Sequence, residues 1–147
     1  MKNRRKSREL ALQVLYARDI WDECDPMRLI DYLAAEHHLD DGIAAYSRVL
    51  VDKTLASRDA IDATLQKHTA NWDLRRMAAI DRNILRMSVA ELQFCSDVPY
   101  KVVIDEAVEL AKLYSTEESS RFVNGVLDSS YKSIAAANGK PERMPRD

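Results

Sequence analysis

The sequence predicts an all-α fold, and three observations lead to that class. Apolar residues recur at steps of three and four through most of the chain, which is the spacing of one buried helix face. Only 3 glycines and 4 prolines interrupt the 147 residues, so sharp turns are few. Alternation of polar and apolar residues, which marks a half-buried strand, does not extend over a useful length. We therefore expect six or seven helices packed as one compact domain.

Two helices are predicted within the first 40 residues. The first runs from Ser7 to about Ile20 and carries leucine, alanine and valine on its buried side. The second opens at Asp25-Pro26, because aspartate caps a helix start and proline fits the first turn. A third helix begins near Asp40 or Asp41, with a bend expected around Ser57.

A long central helix is predicted to reach Leu92. Trp72 leads into it, and the helical pattern is interrupted near Arg75. Its apolar side is rich in methionine, isoleucine and leucine at helical spacing, so we expect this helix to lie in the core.

Two further helices complete the chain. Proline in Val98-Pro99 disfavours helical geometry in the preceding residue and suits the first turn of the next helix. Ser115 or Thr116 can cap the last helix, whose first turn is acidic, as the helix dipole favours. Asn124-Gly125 lies inside it, and glycine there costs about 1 kcal/mol relative to alanine. We expect Gly125 to permit close approach of another backbone, either a neighbouring helix or a bound chain.

Charge divides the chain unevenly. The net charge is −2, yet residues 1–8 hold 5 of the 22 basic residues and none of the 24 acidic ones. We predict a flexible basic arm over 1–8, a single helical domain over 5–136, and a disordered polar tail over 138–147. Because the arm buries little, its deletion is expected to leave the fold intact. Clustered cations attract phosphate backbones with little sequence preference.

The cysteines and the hydropathy indicate a reduced, cytoplasmic protein. Cys24 and Cys95 are far apart and lack metal-ligand spacing, so two unpaired thiols are expected. No apolar run is long enough for a membrane span, and no apolar segment follows the charged N-terminus as in a signal peptide. His37 and His38 are adjacent on a helix and point about 100° apart, so they are not expected to chelate a metal. No cofactor is expected.

Catalysis is not expected either. Asp105, Glu106 and Glu109 share a helix surface, but Lys101 and Lys112 are spaced to pair with them, and nothing apolar would separate their pKa values. The sequence contains no nucleophile elbow, phosphate-binding glycine loop or dinucleotide fingerprint. These carboxylates are interpreted as a solvated helix face.

Three separated motifs, in order, resemble the NusB family of bacterial transcription antitermination factors. They are RRKSRELALQVLY at 4–16, WDLRRMAAIDRNILRMSVAEL at 72–92 and DVPYKVVIDEAVELAKLYSTEESSRFVNGVLD at 97–128. The resemblance covers about 4–128 and is weakest between 22 and 71. Asp105 replaces the asparagine usual in the family, and Ser115 replaces a glycine, so the turn there is expected to differ.

The resemblance implies a fold of two packed helical subdomains and a function. The protein would bind the boxA element of ribosomal RNA leader transcripts, together with the small-subunit ribosomal protein NusE, and help RNA polymerase to pass terminators. The resemblance, with the basic arm, gives the following RNA-binding residues: Lys2, Arg4, Arg5, Lys6, Arg8, Glu118, Arg121, Phe122 and Asn124. The expected NusE-binding residues are Tyr16, Asp81, Arg82 and Arg86.

Several alternatives remain open at this stage. Asp81, Arg82 and Arg86 fit intramolecular ion pairs as well as docking, and Phe122 fits a core position as well as a stacking platform. A protein-interaction adaptor or homodimer that does not recognise RNA is a rival function. A targeting module of an RNA-modifying enzyme is ranked last, since no cofactor-binding domain follows in this sequence.

Overall fold

The structure is a computed structural model that describes residues 2–70 and 72–137, apart from the side chain of Lys2. Within these residues it has seven α-helices and no strand, which confirms the predicted all-α class. The helices are α1 Lys2–Ile20, α2 Pro26–Glu36, α3 Asp41–Ala56, α4 Arg58–Gln66, α5 Ala79–Phe94, α6 Tyr100–Tyr114 and α7 Glu117–Ala137. A short 3-10 helix, Leu74–Arg76, precedes α5. The predictions for the tail at 138–147 and for the Lys2 side chain fall outside the described residues.

Side-chain caps fix several helix starts where the sequence predicts them. The Asp40 carboxylate accepts the backbone N–H of Ile43 at 2.9 Å and starts α3. The Thr116 hydroxyl accepts the N–H of Ser119 at 2.9 Å and starts α7. Ser57 separates α3 from α4, so the predicted bend is confirmed as a break between two helices.

The helices pack as two groups that share α5. Helices α1, α2 and α3 contact one another, as do α5, α6 and α7, and α5 also contacts α1, α3 and α4. Consequently almost every residue of α5 from Asp81 to Leu92 is buried, including its polar ones. Cys24 and Cys95 are both buried and unpaired, as expected. Among the described residues, no helix is long and apolar enough to span a membrane.

The N-terminal residues are part of the fold, and the prediction of a flexible arm is wrong for residues 2–8. Helix α1 begins at Lys2 rather than at Ser7. Ser7 is buried, its hydroxyl donates to the Ile43 carbonyl at 2.8 Å, and Ser47 donates to the Ser7 carbonyl at 2.7 Å. These bonds tie the start of α1 to α3, so deletion of 1–8 would remove buried structure.

Gly125 does not lie against a neighbouring helix. A Cβ added to it would have no other heavy atom within 4 Å, apart from the surrounding helix. The expected close helix contact is therefore wrong. Approach of a bound chain, the other interpretation of this glycine, remains open.

Candidate nucleic-acid interface

Arg8, which the sequence places among the phosphate-binding cations, is an internal residue. Its guanidinium donates to the Glu91 carboxylate at 2.9 and 2.7 Å, and the two residues are 3% and 1% exposed. The Tyr46 hydroxyl donates to the same carboxylate at 2.6 Å. Burial acts to lower the pKa of Arg8, but hydrogen bonding and attraction to Glu91 outweigh it and raise that pKa. Arg8 is therefore corrected from a phosphate contact to part of a buried ion pair.

Arg4, Arg5 and Lys6 lie at or near the surface of α1 but differ in their partners. Arg5 donates to Glu106 of α6 at 3.1 and 2.6 Å, and these hydrogen bonds hold the pKa of Glu106 below its usual value. Arg4 lies 3.4 Å from the Asp97 carboxylate and 4.0 Å from the centre of the Tyr46 ring. Lys6 is exposed and forms no ion pair within the described part of the chain. Of this set, Lys6 has the charge that is most available to a ligand.

A groove runs between the start of α1 and the start of α6. Its volume is about 790 Å³. It is lined by Arg4, Arg5, Lys6, Arg8, Glu9, Asp97, Val98, Pro99, Val102 and Glu106. The acidic residues of the opposite wall, Asp97 and Glu106, pair with Arg4 and Arg5. The free charge of Lys6 beside the apolar part of the groove suits a ligand with both charge and flat apolar surface.

The second predicted RNA-binding set lies at the start of α7. Glu118, Arg121 and Asn124 are exposed, and Phe122 is half-buried against the core. The Phe122 ring also packs against Trp72, with centroids 6.2 Å apart and planes tilted by 57°. Phe122 thus packs against the core and keeps part of its surface accessible, and its role as a stacking platform stays a prediction.

The two predicted sets border different parts of α6. Arg5 of α1 contacts Glu106 of α6. Four residues further along α1, Glu9 accepts a hydrogen bond from the Tyr114 hydroxyl of α6 at 2.6 Å, so α1 and α6 run side by side in the same direction. Glu106 and Tyr114 are separated by about 12 Å along the helix, at a rise of about 1.5 Å per residue. The α7 set follows directly after Tyr114.

Two of the predicted partner-binding residues are corrected to intramolecular ion pairs. Arg82 contacts Asp19 of α1 at 2.7 Å. Arg86 donates to Asp62 of α4 at 2.7 and 2.9 Å and lies 3.4 Å from Asp19. Although burial opposes it, hydrogen bonding to Arg82 contributes to a lowered pKa for Asp19. These guanidiniums hold α5 against its neighbours and do not form an open docking surface.

Of the other two predicted partner-binding residues, Tyr16 is accessible and Asp81 is buried, so a partner-binding role does not fit Asp81. Tyr16 is exposed on α1. Asp81 is 8% exposed; one carboxylate oxygen accepts from Ser119 at 2.9 Å, and the other has no hydrogen-bond partner in the described structure. Large apolar side chains are also exposed at the ends of α1 and α6: Ile20, Trp21, Leu113 and Tyr114.

Sequence reasoning missed Glu91, Asp19 and Trp72. Glu91 interrupts the apolar face of α5, and a charged residue at such a position is almost never buried without a partner. That signal could have revealed the need for a buried cation, although not which one. The sequence placed Trp72 just before the central helix, but its contact with Phe122 depends on packing between distant segments.

Nothing in the described structure suggests a catalytic or metal centre. Its residues include no cluster of histidine, cysteine, aspartate and glutamate that could hold a metal ion. His37, His38 and Asp105 are exposed, while Glu106 is engaged by Arg5. The fold and these surfaces define a small all-helical protein that exposes charged and aromatic side chains to other molecules.

Comparison with known proteins identifies the family. The family model described as NusB family matches residues 5–132, and the chain belongs to that family. The transcription antitermination protein NusB of Syntrophus aciditrophicus is 39% identical over 145 residues, which cover 99% of this chain and 89% of that protein. The NusB of Heliobacterium modesticaldum is 38% identical over 138 residues, covering 94% of this chain and 66% of that protein.

Solved structures agree with this assignment. The structure of T. maritima NusB matches with a TM-score of 0.84 and 32% identity, covering 92% of this chain and 94% of that one. A structure of antitermination factors NusB and NusE in complex with double-stranded RNA matches with a TM-score of 0.82 and 33% identity, covering 90% and 98%. NusB proteins are transcription antitermination factors, so family membership confirms that the chain is not an enzyme.

Proposed function

We propose that this protein binds boxA-type single-stranded RNA of ribosomal RNA leader transcripts together with ribosomal protein NusE. Within the antitermination complex it promotes read-through by RNA polymerase. Because it acts on transcribing polymerase, we also propose that the protein is cytoplasmic. The observation that carries the proposal is the basic start of α1, where Arg4, Arg5 and Lys6 border the groove beside α6. Single-stranded RNA is held by cations on its phosphates and by flat groups against its bases.

The start of α7 supplies polar groups that can bind base edges and phosphates. Asn124 has an amide that can donate to and accept from a base edge, and the Glu118 carboxylate can accept from an amino group. Arg121 can contact a phosphate or stack on a base. All three side chains are exposed, so RNA can reach them without rearrangement of the helix.

The proposed NusE surface lies at the C-terminal end of α1. Tyr16 and the neighbouring apolar side chains Ile20 and Trp21 are exposed there, and aromatic residues are enriched in protein interfaces. The same exposed apolar side chains could instead join two copies of this chain, so a homodimer is the second candidate.

A gel-shift titration tests the proposal. The protein alone and with NusE is titrated onto a boxA RNA and onto a scrambled RNA of equal length. We expect preferential binding to boxA RNA that NusE strengthens. Absence of binding under both conditions would favour the adaptor or the homodimer. Sedimentation of the free protein would then distinguish a monomeric adaptor from a homodimer.

Calorimetry gives an independent test of the ternary complex. If RNA and NusE bind cooperatively, each must raise the affinity of the other by the same factor. We expect tighter NusE binding in the presence of boxA RNA. Identical NusE affinities with and without RNA would contradict a cooperative complex.

A further inference from the structure

Trp72 is a large aromatic residue held firmly at the surface. Its side chain is 59% exposed. Its backbone carbonyl accepts from the Gln66 amide at 2.6 Å and from the hydroxyl of the buried Thr69 at 3.1 Å. Its backbone N–H donates to the Thr69 carbonyl at 3.0 Å. Three hydrogen bonds therefore fix the main chain that presents the indole.

The indole lies beside Phe122. The centroid distance of 6.2 Å and the tilt of 57° are typical of a favourable aromatic pair. Phe122 packs against the core from α7, so it supports the indole from one side. The pair presents exposed aromatic surface of the kind on which bases stack, whatever their identity.

Arginines flank both aromatic residues in sequence. Arg121 precedes Phe122, and Arg75 and Arg76 follow Trp72 by three and four residues. Arg75 pairs with Asp73 at 3.1 Å. Arg76 and Arg121 are exposed and form no ion pair within residues 2–70 and 72–137. Their guanidiniums can bind phosphates on either side of a stacked base.

A depression next to Trp72 completes the surface. Its volume is about 550 Å³. It is lined by Asp62, Ala63, Gln66, Ala70, Trp72, Asp73, Leu74 and Arg75. It is open to solvent and is lined in part by Trp72, so a nucleotide stacked on the indole would have room for its sugar.

We propose that Trp72 and Phe122 form a stacking site for one base of a single-stranded RNA, with Arg76 and Arg121 on the adjoining phosphates. This inference rests on the proposed RNA-binding function and extends the RNA surface from α7 to the segment before α5. The combination of an exposed aromatic face with unpaired guanidiniums favours RNA over an apolar protein partner as the occupant.

The chain contains a matched control for the first test, because Trp21 is the second of its 2 tryptophans and is also 59% exposed. In Trp21→Phe the fluorescence comes from Trp72 alone, and we expect boxA RNA to quench it at saturation. In Trp72→Phe the fluorescence comes from Trp21, and we expect a clearly smaller change.

Affinity provides the second test. Loss of one stacked base is expected to weaken boxA binding by about 5- to 150-fold in Trp72→Ala. Trp72→Phe should retain most of the affinity because it keeps an aromatic face. Tyr32→Ala removes another exposed aromatic side chain, on α2, and should bind RNA like the unaltered protein. Circular dichroism melting establishes that each variant is folded before it is titrated.

The outcomes separate this inference from the proposed function. Normal RNA affinity in Trp72→Ala, together with unchanged Trp72 emission, would overturn the stacking site and leave the proposed function intact. Failure of the unaltered protein to bind RNA would overturn both. Weakened NusE binding by Trp72→Ala in the absence of RNA, with RNA affinity unchanged, would assign the surface to the protein partner and also overturn the inference.

Discussion

The starts of α1 and α7 differ in what their polar side chains contact, although both were assigned to RNA from the sequence. On α1, Arg8 is buried against Glu91 and Arg5 is engaged by Glu106. On α7, Arg121 extends into solvent and forms no ion pair in the part of the chain that the structure describes. A cluster of like charges in a sequence is therefore a poor measure of the charge that a ligand meets, because distant acidic residues can neutralise it.

The largest expected effect comes from breaking the buried pair on α1. In Arg8→Ala the Glu91 carboxylate stays buried without its cation, so the free energy of unfolding should fall by about 3–5 kcal/mol. Urea denaturation monitored by circular dichroism measures this free energy of unfolding.

Lys6→Ala is the control for this experiment, since Lys6 is exposed two residues away on the same helix. Its unfolding free energy should change by less than about 0.5 kcal/mol, as is usual at surface positions. Equal stability of the two variants would show that the Arg8–Glu91 pair does not anchor α1.

On α7 the expected loss is smaller, because Phe122 is only half-buried. Phe122→Ala should lower the unfolding free energy by about 2 kcal/mol, roughly half the cost at a fully buried position. Thermal or urea unfolding gives this value, and Phe122→Leu should recover most of it. A cost below about 0.5 kcal/mol would mean that Phe122 contributes little to the core.

The salt dependence of RNA affinity distinguishes cations that contact phosphates from cations that are held in intramolecular ion pairs. If Lys6 contacts a phosphate, Lys6→Ala should reduce the slope of log affinity against log salt by about 0.7 for single-stranded RNA. Lys132→Ala provides a matched loss of charge, because Lys132 is exposed and lies 3.2 Å from Asp128 on α7, away from the proposed surface. Equal slopes for the two variants would remove Lys6 from the RNA contacts.

The smallest effect concerns pH and the contact between Arg5 and Glu106. Because the folded pKa of Glu106 lies below its ordinary value of 4.5, this carboxylate stabilises the fold above that pH and loses its contribution as the pH falls through the folded pKa. The stability difference between the unaltered protein and Glu106→Gln should be about 1 kcal/mol or less at pH 7 and should shrink in acid. Urea unfolding of both proteins from pH 7 into acid measures this difference. A stability difference that grows in acid would contradict a stabilising contact between Arg5 and Glu106.

Local signals in the sequence were sufficient for most of the fold. Asp40, Thr116 and the break at Ser57 act within a few residues, so pattern and capping rules locate them. The start of α1 was missed because its first turns are stabilised by α3 and α5, at separations of 36 residues for Ser7 to Ile43 and 83 for Arg8 to Glu91. The candidate site was predicted less well for the same reason: residue type indicates what a side chain can bind, whereas burial and partners arise from the whole fold.

The nearly complete burial of α5 has a consequence for how the molecule folds. Its buried ionic side chains are paired by other helices, with Glu91 bound by Arg8 and Arg86 bound by Asp62. An isolated α5 would expose an apolar surface and lack those partners, so this helix gains its stability only when both helix groups assemble around it. We expect amide hydrogens of α5 to exchange only through global unfolding, and the two groups to melt in a single cooperative transition.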